Sequence, residues 1–255
     1  MRKCIIFLCI VALITGCAAS FKEKRTLSKP FVSLAMGKIE RNDIQGALVE
    51  LRKALEANPK DPEVYYALTL AYWKSEKYDK ALENVDKAIQ YADSLDLDHP
   101  GLKSEAYNLK GTILVLKGKN EEAITAFTKA VKDELYATPE YAYFNLASLY
   151  ADMDRYEDAQ KAAQMALDRN QHYAPAWHIS GRIFVKKGDN MKAIEAFNRA
   201  IFEYNGYTEA YWNLAQIHIK RGEKKEAIRL LNEVIKLDPN GVFGTLAQQH
   251  IDNLR

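Results

Sequence analysis

The chain has 255 residues, with 36 lysines and arginines against 34 aspartates and glutamates and a formal net charge of +2. So close a balance lacks the basic excess with which nucleic-acid-binding domains hold phosphates. All three cysteines, Cys4, Cys9 and Cys17, crowd the N-terminus, which leaves the rest of the chain without a disulfide framework, a thiolate nucleophile or a cysteine-based zinc site.

Residues 1–16 read as an export signal. Arg2 and Lys3 give a positive start, and the apolar run from Cys4 to Ile14 is 11 residues long. A membrane-spanning helix needs about 20, so the run has the shape of a cleaved signal peptide. It ends Leu13-Ile14-Thr15-Gly16-Cys17, which resembles the lipobox of bacterial lipoproteins. The resemblance implies cleavage before Cys17 and a lipid on that cysteine. Losing Arg2 and Lys3 would leave 34 basic against 34 acidic residues. Residues 17–27 then form the lipidated cysteine and a short polar tether. Ala18 stands where an aspartate would resemble an inner-membrane retention signal, so the resemblance implies a lipoprotein on the periplasmic face of the outer membrane.

From residue 28 onward one pattern repeats six times. Alanines recur at Ala47, Ala81, Ala123, Ala159, Ala193 and Ala227, at gaps of 34, 42, 36, 34 and 34 residues. Seven residues after each stands Ala54, Ala88, Ala130, Ala166, Ala200 or Val234, and twelve before each stands Ala35, Thr69, Gly111, Ala147, Gly181 or Ala215. Two antiparallel helices approach closely only where their facing side chains are small. Bulkier neighbours such as Phe31 and Leu34, Tyr65 and Leu68, Tyr143 and Leu146, and Tyr211 and Leu214 should fill the gaps around them. A 34-residue period of this kind is that of the tetratricopeptide (TPR) helix–turn–helix. The expected fold is an all-α TPR solenoid with units at 28–61, 62–95, 104–137, 140–173, 174–207 and 208–241. Residues 96–103 and 138–139 are insertions. Residues 242–255 supply a C-terminal cap helix, with Phe243, Leu246, Ile251 and Leu254 turned inward. The turn after each first helix is marked by Asn42, Gly118, Asn120, Gly188 and Gly222 or by short polar runs around Glu76 and Asp154.

No catalytic constellation is visible. The five histidines (His99, His172, His178, His218, His250) include no HExxH pair, and there is no nucleophile elbow, Walker loop or dinucleotide fingerprint. His178 and His218 fall on first helices of adjacent units, where a satisfied or solvent-facing role is the simpler expectation. Acidic residues suit exposed helix pairs such as Glu195 with Arg199. The expectation is a non-enzyme with no cofactor, metal, nucleic acid or small-molecule substrate. What stands out is the stripe at repeat positions 5, 9 and 12 of the first helices, which in a TPR array line the concave face. It reads Val32, Met36 and Ile39 in unit 1 and Tyr66, Leu70 and Trp73 in unit 2, against His178, Arg182 and Val185 in unit 5 and Trp212, Gln216 and Ile219 in unit 6. An apolar, Met- and aromatic-bearing stripe points to a protein partner. The competing use of those residues is packing against the tether (Phe21, Leu27) or the next unit. Val32 and Met36 also stand where chaperone-tail-binding TPR domains resemble one another in a polar clamp.

A signal with a lipobox, six such units and the segment Ala123–Leu167 together resemble the pilotin lipoproteins of type IV pili, the PilF/PilW/Tgl family. The segment carries Leu135-Tyr136 followed by Pro139, then Asn145-Leu146-Ala147, with Ala147 where glycine is common. The resemblance implies a scaffold that brings the pilus secretin subunit to the outer membrane and promotes its assembly. Another envelope client, a cell-wall enzyme or the β-barrel assembly machinery, is the alternative partner.

Overall fold

The structure is a computed structural model that describes residues 25–92 and 99–254. The signal, Cys17 and most of the tether lie outside the described residues. Thirteen helices and no strand occur among the described residues. They fall into two compact units, Met1–Tyr136 and Ala137–Arg255. Unit 1 carries α1 (25–40), α2 (Ile44–Ala57), α3 (Pro62–Lys74), α4 (Tyr78–Ala92), α5 (Leu102–Leu116) and α6 (Asn120–Ala130). Unit 2 carries α7 (Pro139–Asp152), α8 (Tyr156–Arg169), α9 (Ala174–Lys186), α10 (Asn190–Glu203), α11 (Thr208–Lys220), α12 (Lys224–Leu237) and α13 (Val242–Leu254). This is the all-α TPR fold that the period predicts.

The recurring small residues are its cause. All six alanines of the first series, all six residues of the second, and Ala35, Thr69, Ala147 and Ala215 of the third have no solvent exposure. The two glycines of the third series answer to bulk opposite them. A Cβ on Gly111 would lie 2.5 Å from the ring of Phe127, and one on Gly181 would lie 2.5 Å from the ring of Phe197. Where the facing position holds Leu51 or Leu231 instead, the third series holds Ala35 or Ala215. Volume is thus conserved across these four pairs, as close-packed interiors require, while the fourth repeat sets Ala163 against Ala147.

Each turn within a helix pair contains one left-handed residue: Asn42, Glu76, Gly118, Asp154, Gly188 and Gly222, with φ between 57° and 79°. Their spacing reproduces the alanine gaps. Asp154 is a residue type that tolerates this region, but Glu76 adopts it without such a preference, so the closure of the helix pair outweighs its local cost. Starts are fixed by side chains where the sequence allows. Asp43 accepts from Gly46 N–H at 2.9 Å, and Asp61 accepts from Glu63 N–H at 3.0 Å while also receiving Ser28 Oγ–H at 2.5 Å. Burial pushes the Asp61 carboxyl above its ordinary pKa, against the hydrogen bonds from Ser28 and the Glu63 amide. Ser28 lies on α1 and Asp61 caps α3, so this bond ties the first repeat to the second.

The last helix covers the end of unit 2. Ala247 and Ile251 are buried with Leu230, Leu231 and Val234, Phe243 and Leu254 pack at the edge, and Gln248, Gln249, Asp252 and Asn253 face solvent. Asp238 prepares its start by accepting from the N–H groups of Phe243 (3.0 Å) and Gly244 (3.3 Å). Two local expectations are corrected. Arg199 pairs with Glu203 at 2.8 Å, one turn later than the expected partner Glu195, because the Glu203 side chain is drawn under cover, where it also meets His172 at 2.9 Å. Leu34 fills no gap: it is 47% exposed, since no helix pair precedes α1 among the described residues.

Candidate protein-binding surface

The six stripe residues of unit 1 divide by burial. Val32 and Ile39 are 8% and 3% exposed, in one cluster with Ala67, Leu68 and Ala71 of α3. The expectation that they form open surface is corrected: α3 packs against this flank of α1 and covers both side chains. Lys74 of α3 reinforces the seam by donating to the Ile39 carbonyl at 2.9 Å. Met36 lies at the margin of the same cluster and stays partly open. Tyr66, Leu70 and Trp73 of α3 pack beside Leu109 and Ile113 of α5 and are also only partly covered. The surface available to a partner in unit 1 is therefore the string Met36, Tyr66, Leu70 and Trp73. Burial pushes the Tyr66 phenol well above its ordinary pKa, with the Glu105 charge adding to the shift, so it stays a neutral donor. Leu27 is 62% exposed and does not close the stripe, while Phe21 lies outside the described residues.

A polar cluster stands at the start of α3. Glu63 accepts from Arg25 Nη2 at 2.9 Å and lies 3.4 Å from His99 Nδ1, whose Nε2 is 3.6 Å from Glu105. His99 so ties the end of the insertion back to α3 and α5.

The corresponding stripe of the second compact unit, Ala137–Arg255, is mixed, with His178, Arg182 and Gln216 beside Val185, Trp212 and Ile219, and is differently used. His178 is 9% exposed, with Nδ1 at 3.1 Å from the Tyr207 hydroxyl and Nε2 at 2.9 Å from Asn213 Nδ2. Burial, with the Arg182 charge as a lesser cause, pulls its pKa down to about 4, so the ring is neutral at pH 7. This is the satisfied histidine the sequence suggested, and His218 instead pairs with Glu223 at 2.5 Å. Trp212 packs against Phe243 and His250 of α13, with ring centroids 5.8 and 5.3 Å apart. Arg182 reaches Asp152 at 3.3 Å. Sequence reasoning placed these residues on the stripe but missed the Tyr207–His178–Asn213 chain, because Tyr207 stands at the last position of its unit. No group of three or more His, Cys, Asp or Glu among the described residues is placed to hold a metal ion. No described helix is long and apolar enough to cross a membrane.

The fold and the stripe define a repeat protein built for contact with another macromolecule. Profiles described as "Tetratricopeptide repeat" and "TPR repeat" match residues 66–142, 144–208 and 180–242, and residues 38–76. The chain belongs to the tetratricopeptide repeat family, whose stacked helix pairs mediate protein–protein interaction. Among curated proteins it is similar to the type IV pilus assembly protein PilF of Pseudomonas aeruginosa, at 26% identity over 67% of this chain and 68% of that one. An Hsp70-Hsp90 organizing protein of Triticum aestivum is also 26% identical, over 89% of this chain. The chain spans only about a third of that relative, 36% of its length. Among solved structures, that of Pseudomonas aeruginosa PilF superposes with a TM-score of 0.74 at 18% identity, over 91% of this chain and 99% of that one. That of PilW, titled a widely conserved type IV pilus biogenesis factor, gives 0.72 at 20% identity, over 85% of this chain and 96% of that one. At such identities the superpositions establish the shared fold.

Proposed function

We propose that this protein is an outer-membrane lipoprotein, anchored through Cys17, that binds the secretin subunit of a type IV pilus and promotes its localisation and assembly. The fold of this chain superposes on those of PilF and PilW over most of each chain, and the sequence before the first repeat has the form of a lipoprotein signal. The observation that carries the reading is the partly open string Met36, Tyr66, Leu70 and Trp73 in the repeats nearest the anchor. A client segment docked there is held close to the membrane it must enter, at the raised local concentration that tethering provides. No bond is made or broken, and the work is binding and placement.

Val32 and Ile39 support the string from beneath rather than meeting the client. The test is Met36→Glu combined with Trp73→Ala, in a chain verified as folded and lipidated. Loss of a central aromatic anchor costs about 2 kcal/mol or more of binding, roughly thirtyfold in affinity. Secretin multimers should fall while protein level and location stay normal. Unchanged multimers and unchanged pilus-dependent motility would remove the string as the client site.

A further inference from the structure

The start of unit 1 presents an apolar face that the other described residues leave exposed. Leu27, Phe31 and Leu34 stand at i, i+4 and i+7 on one flank of α1. Phe31 and Lys38 on that flank meet α2 through Lys53, which lies over the Phe31 ring at 5.9 Å, and through Glu50, 2.9 Å from Lys38 Nζ. The flank of α2 that carries Glu50 and Lys53 carries Val49 as well, so both helices contribute to one terminal face. Leu27, Leu34 and Val49 are 62%, 47% and 51% exposed.

Internal repetition shows that this exposure is peculiar to the end of the array. The leucines that occupy the Leu34 position in later repeats, Leu68, Leu146 and Leu214, are 7%, 6% and 2% exposed. A terminal repeat ordinarily needs a polar outer face. At the other end α13 provides one through Gln248, Gln249, Asp252 and Asn253, but α1 and α2 offer leucine and valine. The charged belt of the face holds Lys38 and Lys53, which share Glu50 at 2.9 and 3.0 Å, with Arg52 and Glu56 exposed beside Val49, three basic groups to two acidic.

We propose that this terminal face of unit 1 rests on an anionic lipid surface, with Leu27, Leu34 and Val49 entering the headgroup region and Lys38 and Lys53 facing lipid phosphates. The proposal rests on the reading of Cys17 as the lipid anchor. Seven residues lie between Cys17 and Arg25 at the start of α1, and eight steps of ~3.5 Å span at most about 28 Å. The face is thus confined within one short tether of the bilayer. Apolar side chains beside lysines are the combination that binds the interface of an anionic leaflet. Contact there would fix the orientation of unit 1, which a lipid alone leaves free to swivel.

Cys17 is the only cysteine after residue 16, so the unlipidated chain 17–255 can be coupled through it to maleimide-headgroup lipid. Vesicles of phosphatidylethanolamine and phosphatidylglycerol with brominated acyl chains then report contact by quenching. A Leu34→Trp reporter should be quenched at least twofold more than the native tryptophans. The extra quenching should vanish when Leu27→Glu and Val49→Glu are added, and should weaken on phosphatidylcholine vesicles. These positions are exposed, so the variants retain the fold. An unquenched reporter overturns the proposal. So does a reporter that is unquenched on lipid but blue-shifts when secretin subunit is added, which would make the face a protein-docking surface. Because the coupling is chemical, neither result depends on whether the lipobox is processed in cells. That question is decided separately by whether Cys17→Ser releases the protein from the membrane.

Discussion

Gly181→Ala should destabilise the protein although it places the best helix former at the middle of α9. Propensity alone favours the change by about 1 kcal/mol. Against this, the new Cβ would stand 2.5 Å from Phe197 Cε1 and 2.6 Å from Cδ1. Carbon atoms prefer about 3.5 Å or more, so the ring must retreat by about 1 Å. Phe197 has no exposure and sits among Leu214, Ala215 and Leu231, so it has nowhere to go. Overpacking of this kind costs about 1–3 kcal/mol, and the net expectation is a loss of about 1 kcal/mol. The next repeat supplies the remedy, since one period on the same two places hold Ala215 and Leu231, both fully buried. Phe197→Leu alone leaves a void and should cost about 1 kcal/mol. Combined with Gly181→Ala it should restore most of the loss, a coupling of about 1 kcal/mol or more in a double-mutant cycle. The assay is equilibrium urea unfolding followed by circular dichroism, reading the midpoint at constant slope. A Gly181→Ala protein more stable than wild type, with no coupling to Phe197→Leu, would refute the account of how small and large residues alternate along this chain.

Other outcomes follow from single contacts. The His178 pKa is lowered from 6.5 to about 4, so the unfolded chain takes up the proton first. Its contribution is complete above pH 6.5 and lost as pH falls toward 4, at most about 3 kcal/mol. His178→Gln should flatten that part of the pH–stability curve, and equal slopes in the two proteins would contradict the burial. Asp238→Ala removes the acceptor for the first amides of α13 and should cost about 1 kcal/mol, seen as earlier proteolysis of the C-terminal helix. If the lipobox reading holds, Cys17→Ser leaves the protein in the soluble periplasmic fraction, with no incorporation of labelled palmitate.

The repeats were legible because helix-to-helix distance is set by what is missing from a side chain. A sequence displays a run of alanines and glycines directly, and their spacing carries the fold with it. Even the exception follows the rule: Glu76 has no preference for a left-handed backbone, yet the period places it at a φ of 58°, matching Asp154 at 57°. The candidate surface was less legible for a reason of the same kind. Periodicity says which flank of a helix a residue occupies, but not whether the neighbouring repeat closes over that flank. Val32 and Met36 are one turn apart on the same stripe, and α3 closes over the first while leaving the second partly open. The end of the array inverts the case. Leu34 obeys the pattern of Leu68, Leu146 and Leu214, and among the described residues no preceding helix pair covers it. A repeat protein therefore encodes its packing in the residues that recur. Its contacts with other molecules arise where recurrence stops, at partly closed seams and at terminal faces, so Met36 and Leu34 are where partner and membrane should be sought.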